Sequence, residues 1–126
     1  MAQDIVADGL NMIRNAKKAG RESVKINRIS DLLIEILKIM KQEGAVKRYK
    51  IDSKNRGVEV VFGDFIECKA IKPRFTANKD QIEKYRRRYL PARNIGTIII
   101  STNKGLMTHQ EAMEKGTGGI LISYFY

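Results

Sequence analysis

The sequence contains a single cysteine, Cys68, and a single histidine, His109, among its 126 residues. One cysteine excludes an internal disulfide, and one cysteine with one histidine is too few ligands for a zinc site. We therefore expect neither a metal nor another cofactor. Catalytic triads and general bases near neutral pH usually use histidine, and His109 lies in the first turn of a short predicted helix, where we expect it to be solvated.

Long apolar runs and nucleotide-binding motifs are also missing. No apolar stretch approaches the ~20 residues that span a bilayer. The first residues, Met1-Ala2-Gln3-Asp4, lack the basic and apolar regions of a secretory signal. There is no G-x-x-x-x-G-K-[ST] loop to cradle a phosphate. These absences predict a non-enzymatic, cytoplasmic protein without a membrane partner.

Positive charge is what the sequence has in excess. Twenty-four Lys and Arg residues stand against fourteen Asp and Glu, which leaves a net charge of +10 and a pI near 9.9. Such a surplus on a small chain repels itself when unpaired, so we expect a polyanionic partner. A basic but inert surface is the alternative.

Periodicity and capping signals predict the order of the structural elements. The first half is expected to run helix (4–19), short strand (24–26), helix (31–43) and two strands (46–51, 57–62). Ser30 caps the second helix, and Gly20 and Gly44 end the two helices. A further strand follows, in which Ile66, Cys68 and Ala70 face inward and make Cys68 a buried, inert thiol.

The second half has a different character. A capping box of Asn78 and Gln81 opens a helix that ends before Pro91, and another of Thr108 and Glu111 opens a short helix that ends at Gly116. Strands are expected at 97–102 and 119–126. The sequence therefore predicts an α+β protein, with an N-terminal α-β-α-β-β domain (1–64) packed on a β-rich C-terminal domain with short helices (65–126).

Basic residues concentrate between Lys69 and Arg93, where nine Lys and Arg stand against two acidic residues, a local surplus of seven. Aromatic residues interleave with them. Guanidinium groups bind phosphates and flat rings stack on unpaired bases, so this mixture suits folded RNA. Tyr85 and Tyr89 share a helical stripe with Ile82, so we also expect at least one of them to pack into the core. The candidate contacts are Lys72, Arg74, Tyr85, Arg86, Arg87 and Arg88.

The last third carries no net charge, but it has small polar residues in two predicted loops. Hydroxyls, an amide and backbone N–H groups can bond to base edges and ribose 2′-hydroxyls where bulky side chains could not enter. A plain turn and a helix C-cap are the alternative, which we prefer for Gly116. The candidate contacts are Ser101, Thr102, Asn103, Lys104, Gly105, Gly118 and Gly119.

These loops carry a resemblance to a known family. The segment Ser101 to His109, then Glu111-Ala112 and Gly116-Thr117-Gly118-Gly119, resembles the C-terminal signature of the family of small-subunit ribosomal protein eight. Ala7-Asp8 and the motif Ile13-Arg14-Asn15-Ala16 are similar to that family's first helix, so the resemblance covers essentially the whole chain. The segment 72–93 and the ending Tyr124-Phe125-Tyr126 look more like archaeal or eukaryotic members, and we favour archaeal ones.

The resemblance implies a structural protein of the small ribosomal subunit, monomeric when free, which binds the central domain of the subunit's RNA directly and early in assembly. Other small-subunit ribosomal proteins would be its neighbours. It further implies that Ser101, Thr102 and residue 103 enter a distorted internal loop of an RNA stem and read bases, beside the backbone of Gly118 and Gly119. Asn103 stands where the family has a second serine. Tyr85 is the nearest match to a tyrosine that stacks on RNA in the family.

Arg14 and Asn15, in the first-helix motif, complete the expected RNA contacts. Three other functions stay open at this point. The same surface would serve a translational regulator that binds its own messenger RNA. An RNA-modifying enzyme and a DNA-binding module are further alternatives, but the single histidine argues against the first and no clear recognition helix supports the second.

Overall fold

A computed structural model describes residues 5–52, 54, 57–72, 74–92 and 94–126. The described chain is an α+β protein, as predicted, and it divides into two compact units of residues 1–69 and 70–126. One sheet has three strands and the other has five. No helix in the described ranges is both long and apolar enough to cross a membrane.

The first unit follows the predicted order α-β-α-β-β. β3 lies between β1 and β2 and pairs antiparallel with both. Three residues of the predicted turn between β2 and β3, at positions 53, 55 and 56, lie outside the described residues. The elements are α1 (Ile5–Lys18), β1 (Ser23–Ile26), α2 (Asp31–Gln42), β2 (Val46–Asp52) and β3 (Gly57–Phe62).

The helix ends of this unit follow the signals in the sequence. Ser30 Oγ accepts a hydrogen bond from the backbone N–H of Leu33 at 3.2 Å, which caps α2. Gly20 and Gly44 follow α1 and α2 with φ angles of +82° and +87°. Glycine adopts this left-handed conformation without the steric cost of a Cβ, so both helices stop where predicted.

Alternation along β3 separates the core of the first unit from solvent. Val58 and Val60 are buried, while Glu59 between them is exposed opposite Lys25 and Lys50 on the neighbouring strands. α1 packs beside β1, and α2 beside β2. The fully buried side chains of the two helices are Leu10, Ile13, Leu33, Ile36, Leu37 and Met40.

The segment after β3 corrects one prediction. The inward position expected for Ile66 is wrong, because this side chain is 77% exposed and the strand here, β4, comprises only Cys68–Ala70. The chain bends at residues 64 and 66, so the strand alternation does not extend back to Ile66. Phe65 is buried instead, with the Lys17 ammonium 5.5 Å from its ring centre. Residues 65–69 lie in the first compact unit, and the domain boundary after residue 64 stays a prediction.

The five-stranded sheet has the strand order β4-β8-β6-β7, and β5 also pairs with β8. β6 pairs antiparallel with both β7 and β8. β5 and β7 were not predicted, since β5 has two residues and β7 begins directly after a tight turn. The elements after β4 are β5 (Thr76–Ala77), α3 (Ile82–Tyr89), β6 (Thr97–Thr102), β7 (Gly105–Thr108), α4 (His109–Glu114) and β8 (Gly119–Phe125).

The predicted capping signals of the second unit are confirmed in part. Asn78 and Gln81 form reciprocal bonds in the turn before α3, whose N-cap Gln81 makes no side-chain cap bond, and α4 has the Thr108 cap. Asn78 Oδ1 accepts from the Gln81 N–H at 3.0 Å, and Gln81 Oε1 accepts from the Asn78 N–H at 3.1 Å. Thr108 Oγ1 accepts from the Glu111 N–H at 3.2 Å and caps α4. Gly116 follows α4 with a φ of +64°, which confirms the C-cap interpretation for this residue.

The core of the second unit joins the sheet to α3 and α4. Tyr85 and Tyr89 are half-buried and pack against this core, so the prediction that at least one tyrosine of the stripe packs inward is confirmed. The core holds α3 in place along the sheet and leaves the β6–β7 hairpin at one end of the strands. Its buried members are Ile71, Ala77, Ile82, Leu90, Ile98, Ile100, Met107, Ala112 and Leu121.

Candidate nucleic-acid interface

The polar segment 101–105 forms a tight hairpin, and its length leaves only Asn103 and Lys104 outside the strands. Thr102 pairs with Gly105 across the hairpin, and Ser101 pairs with Leu106. Asn103, Lys104 and Gly105 are exposed. Gly105 has a φ of +110° with open space around it, so its backbone conformation explains the glycine at this position.

The Thr102 hydroxyl closes this hairpin. It donates to the carbonyl oxygen of Gly105 at 2.9 Å and accepts from the backbone N–H of Lys104 at 3.1 Å. A hydroxyl has one proton and two lone pairs. Since its proton is used within the turn, Thr102 can offer a ligand only an acceptor.

Ser101 lies between two aliphatic residues on the neighbouring strands. Its cross-strand partners are Leu106 on β7 and Ile120 on β8, and Ile120 is 42% exposed. Ser101 itself is half-buried. The sequence analysis did not identify Ile120 as a neighbour of the loop, because only the register of β8 against β6 places it there. Ser101 thus presents a hydroxyl from a partly apolar surface.

Two glycines allow the strands to approach one another beside the hairpin. A Cβ at Gly119 would lie 2.1 Å from the carbonyl oxygen of Ser101, and one at Gly118 would lie 2.3 Å from that of Ala77. No side chain larger than hydrogen fits at these distances without moving backbone. Gly119 therefore lies beside the loop as the resemblance implied, and Gly118 packs against the end of β5.

The three consecutive arginines of α3 have different surroundings. Arg86 directs Nη2 and Nε to Oε1 of Glu83 at 2.7 and 3.0 Å, and its side chain is only 11% exposed. The Arg87 side chain is 73% exposed, with Nε 3.8 Å from the same carboxylate oxygen. The exposed Arg88 places its guanidinium carbon 5.2 and 5.5 Å from the ring centres of Phe75 and Tyr89. We expected all three arginines to form one basic surface for RNA, but Arg86 forms an ion pair with Glu83.

Tyr85 stacks within the protein. Its ring centre lies 5.6 Å from that of Phe75, with 22° between the ring planes, and the ring packs against the core. One face of Tyr85 therefore contacts Phe75. Lys72 and Arg74 are exposed in the segment that precedes β5.

Arg14 and Asn15 belong to the first unit. The Arg14 guanidinium forms an ion pair with Glu67, and the Lys18 ammonium lies 3.8 Å from the other oxygen of that carboxylate. Asn15 is exposed on α1. The Arg14 charge is therefore balanced by an acidic residue within its own unit.

The expectation that His109 is solvated is wrong. Its side chain is 1% exposed, and its Nδ1 accepts a hydrogen bond from the backbone N–H of Ile98 at 3.1 Å. Burial and the nearby Arg86 charge lower the pKa of His109, so the ring is held neutral. His109 directly follows β7, which pairs with β6, and this places its ring beside the backbone of Ile98. The capping box predicts the start of the helix but not this contact.

Cys68 is buried, as predicted. Burial, with a smaller contribution from Glu67, raises the pKa of its thiol to about 12, which keeps it protonated and a poor nucleophile. In the described part of the chain, no group of three His, Cys, Asp or Glu side chains is placed to hold a metal ion.

The second unit combines an exposed polar hairpin with exposed guanidinium groups, which are groups that can bond to bases and to phosphates of folded RNA. Comparison with known proteins defines the family. The model described as Ribosomal protein S8 matches residues 4–126. The chain is 43% identical to the small ribosomal subunit protein uS8 of Nanoarchaeum equitans and 35% identical to the protein of that name from Archaeoglobus fulgidus, over 100% of each chain in both cases.

The chain therefore belongs to the ribosomal protein S8 family. This family consists of ribosomal proteins and not of enzymes, so the family and the non-enzymatic character predicted from the sequence are confirmed.

Proposed function

We propose that this protein binds the central domain of small-subunit ribosomal RNA directly, and that it holds one distorted stem in shape during assembly of the subunit. The Ser101–Gly105 hairpin, packed on the backbone of Gly119, is the observation that carries this proposal. A role in the ribosome places the protein in the cytoplasm beside other small-subunit ribosomal proteins.

The hairpin has the properties needed for selecting an RNA shape. Its turn is closed by Thr102, and its first strand is held on both sides by β7 and β8. The polar groups of Ser101 and Asn103 are therefore presented on a rigid support. Rigid polar groups lose little conformational entropy on binding, and they leave an unpaired partner when the RNA has the wrong shape. This favours selection of an irregular internal loop over a regular helix.

The basic residues of the second unit attract the RNA backbone but do not distinguish one RNA sequence or shape from another. Arg74, Arg87 and Arg88 are exposed in and around α3. Guanidinium contacts to phosphates depend on salt and not on base sequence, whereas hydroxyl contacts to bases discriminate. The proposal thus assigns affinity to the basic segment and selectivity to the hairpin.

The test compares two RNA stems, one with the irregular internal loop and one in which that loop is replaced by regular pairs. We expect the protein to prefer the irregular stem in a filter-binding titration. Ser101→Ala should reduce this preference by about 1–3 kcal/mol, because an RNA group that bonded the hydroxyl is left unpaired. Ser23→Ala is the matched control, since Ser23 is a half-buried strand serine of the first unit.

Two results would contradict the proposal. Equal and weak binding of the unaltered protein to both stems would mean that the basic segment acts alone. A Ser101→Ala protein with the same preference as the Ser23→Ala protein would mean that the hairpin does not select the RNA.

A further inference from the structure

Arg88 differs from its two neighbours in how its charge is used. Glu83 accepts two hydrogen bonds from Arg86 and lies 3.8 Å from Arg87. No ion pair or side-chain hydrogen bond joins Arg88 to any described residue, while its guanidinium lies over the rings of Phe75 and Tyr89. Its N–H donors are therefore not used within the described protein, and its charge meets rings but no carboxylate.

The two rings under Arg88 are themselves held in place. Phe75 stacks on Tyr85, and Tyr89 stacks on Tyr124 with ring centres 5.1 Å apart and 30° between planes. All four rings are partly buried and pack against the core of the second unit. Contact with two fixed rings restricts the rotamers of Arg88, so its guanidinium is kept near one position before any ligand binds.

A restrained guanidinium with unused donors is suited to an anion that offers two oxygens side by side. Two oxygens of a phosphate can accept two parallel N–H···O bonds from one guanidinium. The surrounding segment is strongly basic, with a surplus of seven between residues 69 and 93, and this favours a polyanion over a single carboxylate.

We propose that Arg88, held by Phe75 and Tyr89, is a pre-positioned binding group for a phosphate of the RNA backbone. The pair of Arg86 with Glu83 serves the fold instead and does not bind the phosphate. This inference rests on the proposed function and deepens it, because it assigns one backbone contact to one residue of the basic segment.

The experiment measures RNA affinity as a function of KCl concentration for Arg88→Gln, Arg88→Lys, Phe75→Leu and the control Arg87→Gln. Arg88→Gln should weaken binding about tenfold and reduce the slope of log K against log salt by about one, as expected for a lost phosphate contact. Arg87→Gln removes the same charge from an exposed position without the ring contacts. We expect it to weaken binding about twofold, with less than half that change in slope.

Two variants distinguish the effect of the position of the Arg88 guanidinium from the effect of its charge. Arg88→Lys and Phe75→Leu keep the net charge, so the salt slope should stay within about 0.3 of the unaltered value. Their affinities should fall roughly threefold or more, because lysine cannot form the bidentate contact and leucine removes one supporting ring. Thermal melting of each variant shows whether it is folded, and Arg88→Lys tests the proposal even if Phe75→Leu unfolds.

Three results would overturn this inference. Equal effects of Arg87→Gln and Arg88→Gln would mean that charge alone matters. Full affinity of Arg88→Lys would show that guanidinium geometry is immaterial. A loss in Arg88→Gln seen with polyglutamate but not with RNA would point to an acidic protein partner. These comparisons use any stem that the protein binds, so they are independent of the preference for the irregular stem that tests the proposed function.

Discussion

His109 is the first residue of α4, directly after β7. Its ring accepts the backbone hydrogen bond that a further residue of β7 would otherwise accept from β6. Pairing between β6 and β7 ends at Ile99 and Thr108. The next N–H of β6 in that direction, from Ile98, would be buried without a partner if His109 Nδ1 did not accept it. Because Nδ1 is an acceptor, the proton of the neutral ring is assigned to Nε2.

This arrangement predicts a pH dependence of stability. The pKa of His109 is lowered by burial and by Arg86, so the unfolded chain takes up the proton at a higher pH than the folded protein does. The stabilisation by the neutral ring should be complete above the ordinary pKa of about 6.5 and be lost progressively as the pH falls below it. Urea unfolding at pH 7.5, 6.5 and 5.5 measures this change.

Two substitutions at His109 identify the cause. His109→Asn keeps an acceptor for the Ile98 N–H but does not titrate, so its stability should depend less on pH across this range. His109→Ala should lose about 1–3 kcal/mol at pH 7.5, since the Ile98 N–H then lacks a partner. An unchanged pH dependence in His109→Asn would show that other groups cause it.

At the scale of elements, β6 is paired on one side with β7 and on the other with β8. Gly119 brings the backbone of β8 against Ser101, and the register of the three strands places Ser101 between Leu106 and Ile120. The contacts with β8 at Gly119 and Ile120 are not local in sequence. The hairpin turn, by contrast, is closed by the local hydrogen bonds of Thr102.

Removing the Thr102 hydroxyl should therefore destabilise the hairpin directly. Thr102→Val keeps the shape and the β-branched backbone preference but loses both hydrogen bonds, and we expect it to lower the free energy of unfolding by about 1–2 kcal/mol. Thr102→Ser keeps the hydroxyl and should cost less than half as much. Urea unfolding of both variants at pH 7.5 is the measurement, and equal losses would mean that the threonine methyl, not the hydroxyl, stabilises the turn.

At the scale of the whole molecule, the net charge of +10 is distributed unequally. In the described part of the chain some cations are paired internally, as Arg14 is with Glu67 and Arg86 with Glu83. Between residues 74 and 88, five cations are exposed, and we expect these to meet a polyanion: Arg74, Lys79, Lys84, Arg87 and Arg88.

This distribution predicts a moderate salt dependence of RNA binding. If all five contacted phosphates, about 0.7–0.9 released counterions each would give a slope of log K against log salt near −4, which is roughly a 200-fold loss of affinity between 50 and 200 mM KCl. The Glu83 carboxylate 3.8 Å from Arg87 makes the contribution of that residue smaller. Filter binding over that range gives the slope. A slope weaker than about −1 would exclude the basic segment as the main RNA contact.

The fold was predictable where local signals decide it. The capping residues Ser30 and Thr108, and the glycines that follow the helices, act within one turn, so the element order α-β-α-β-β and the ends of α1, α2 and α4 follow from sequence. The two-residue β5, the exposed Ile66 and the burial of His109 did not, because each depends on how segments distant in sequence meet.

The sequence by itself determined the class of fold, the surplus of positive charge and the family, since these depend on composition, periodicity and motifs. Only the tertiary structure decided what each residue of the motifs does. Successive residues on a helix point about 100° apart, so Arg86, Arg87 and Arg88 face three directions. Arg86 is bonded to Glu83, Arg87 is largely exposed with Glu83 3.8 Å away, and Arg88 lies over the rings of Phe75 and Tyr89. Three consecutive arginines thus have three different surroundings, because tertiary packing determines the partners of each side chain.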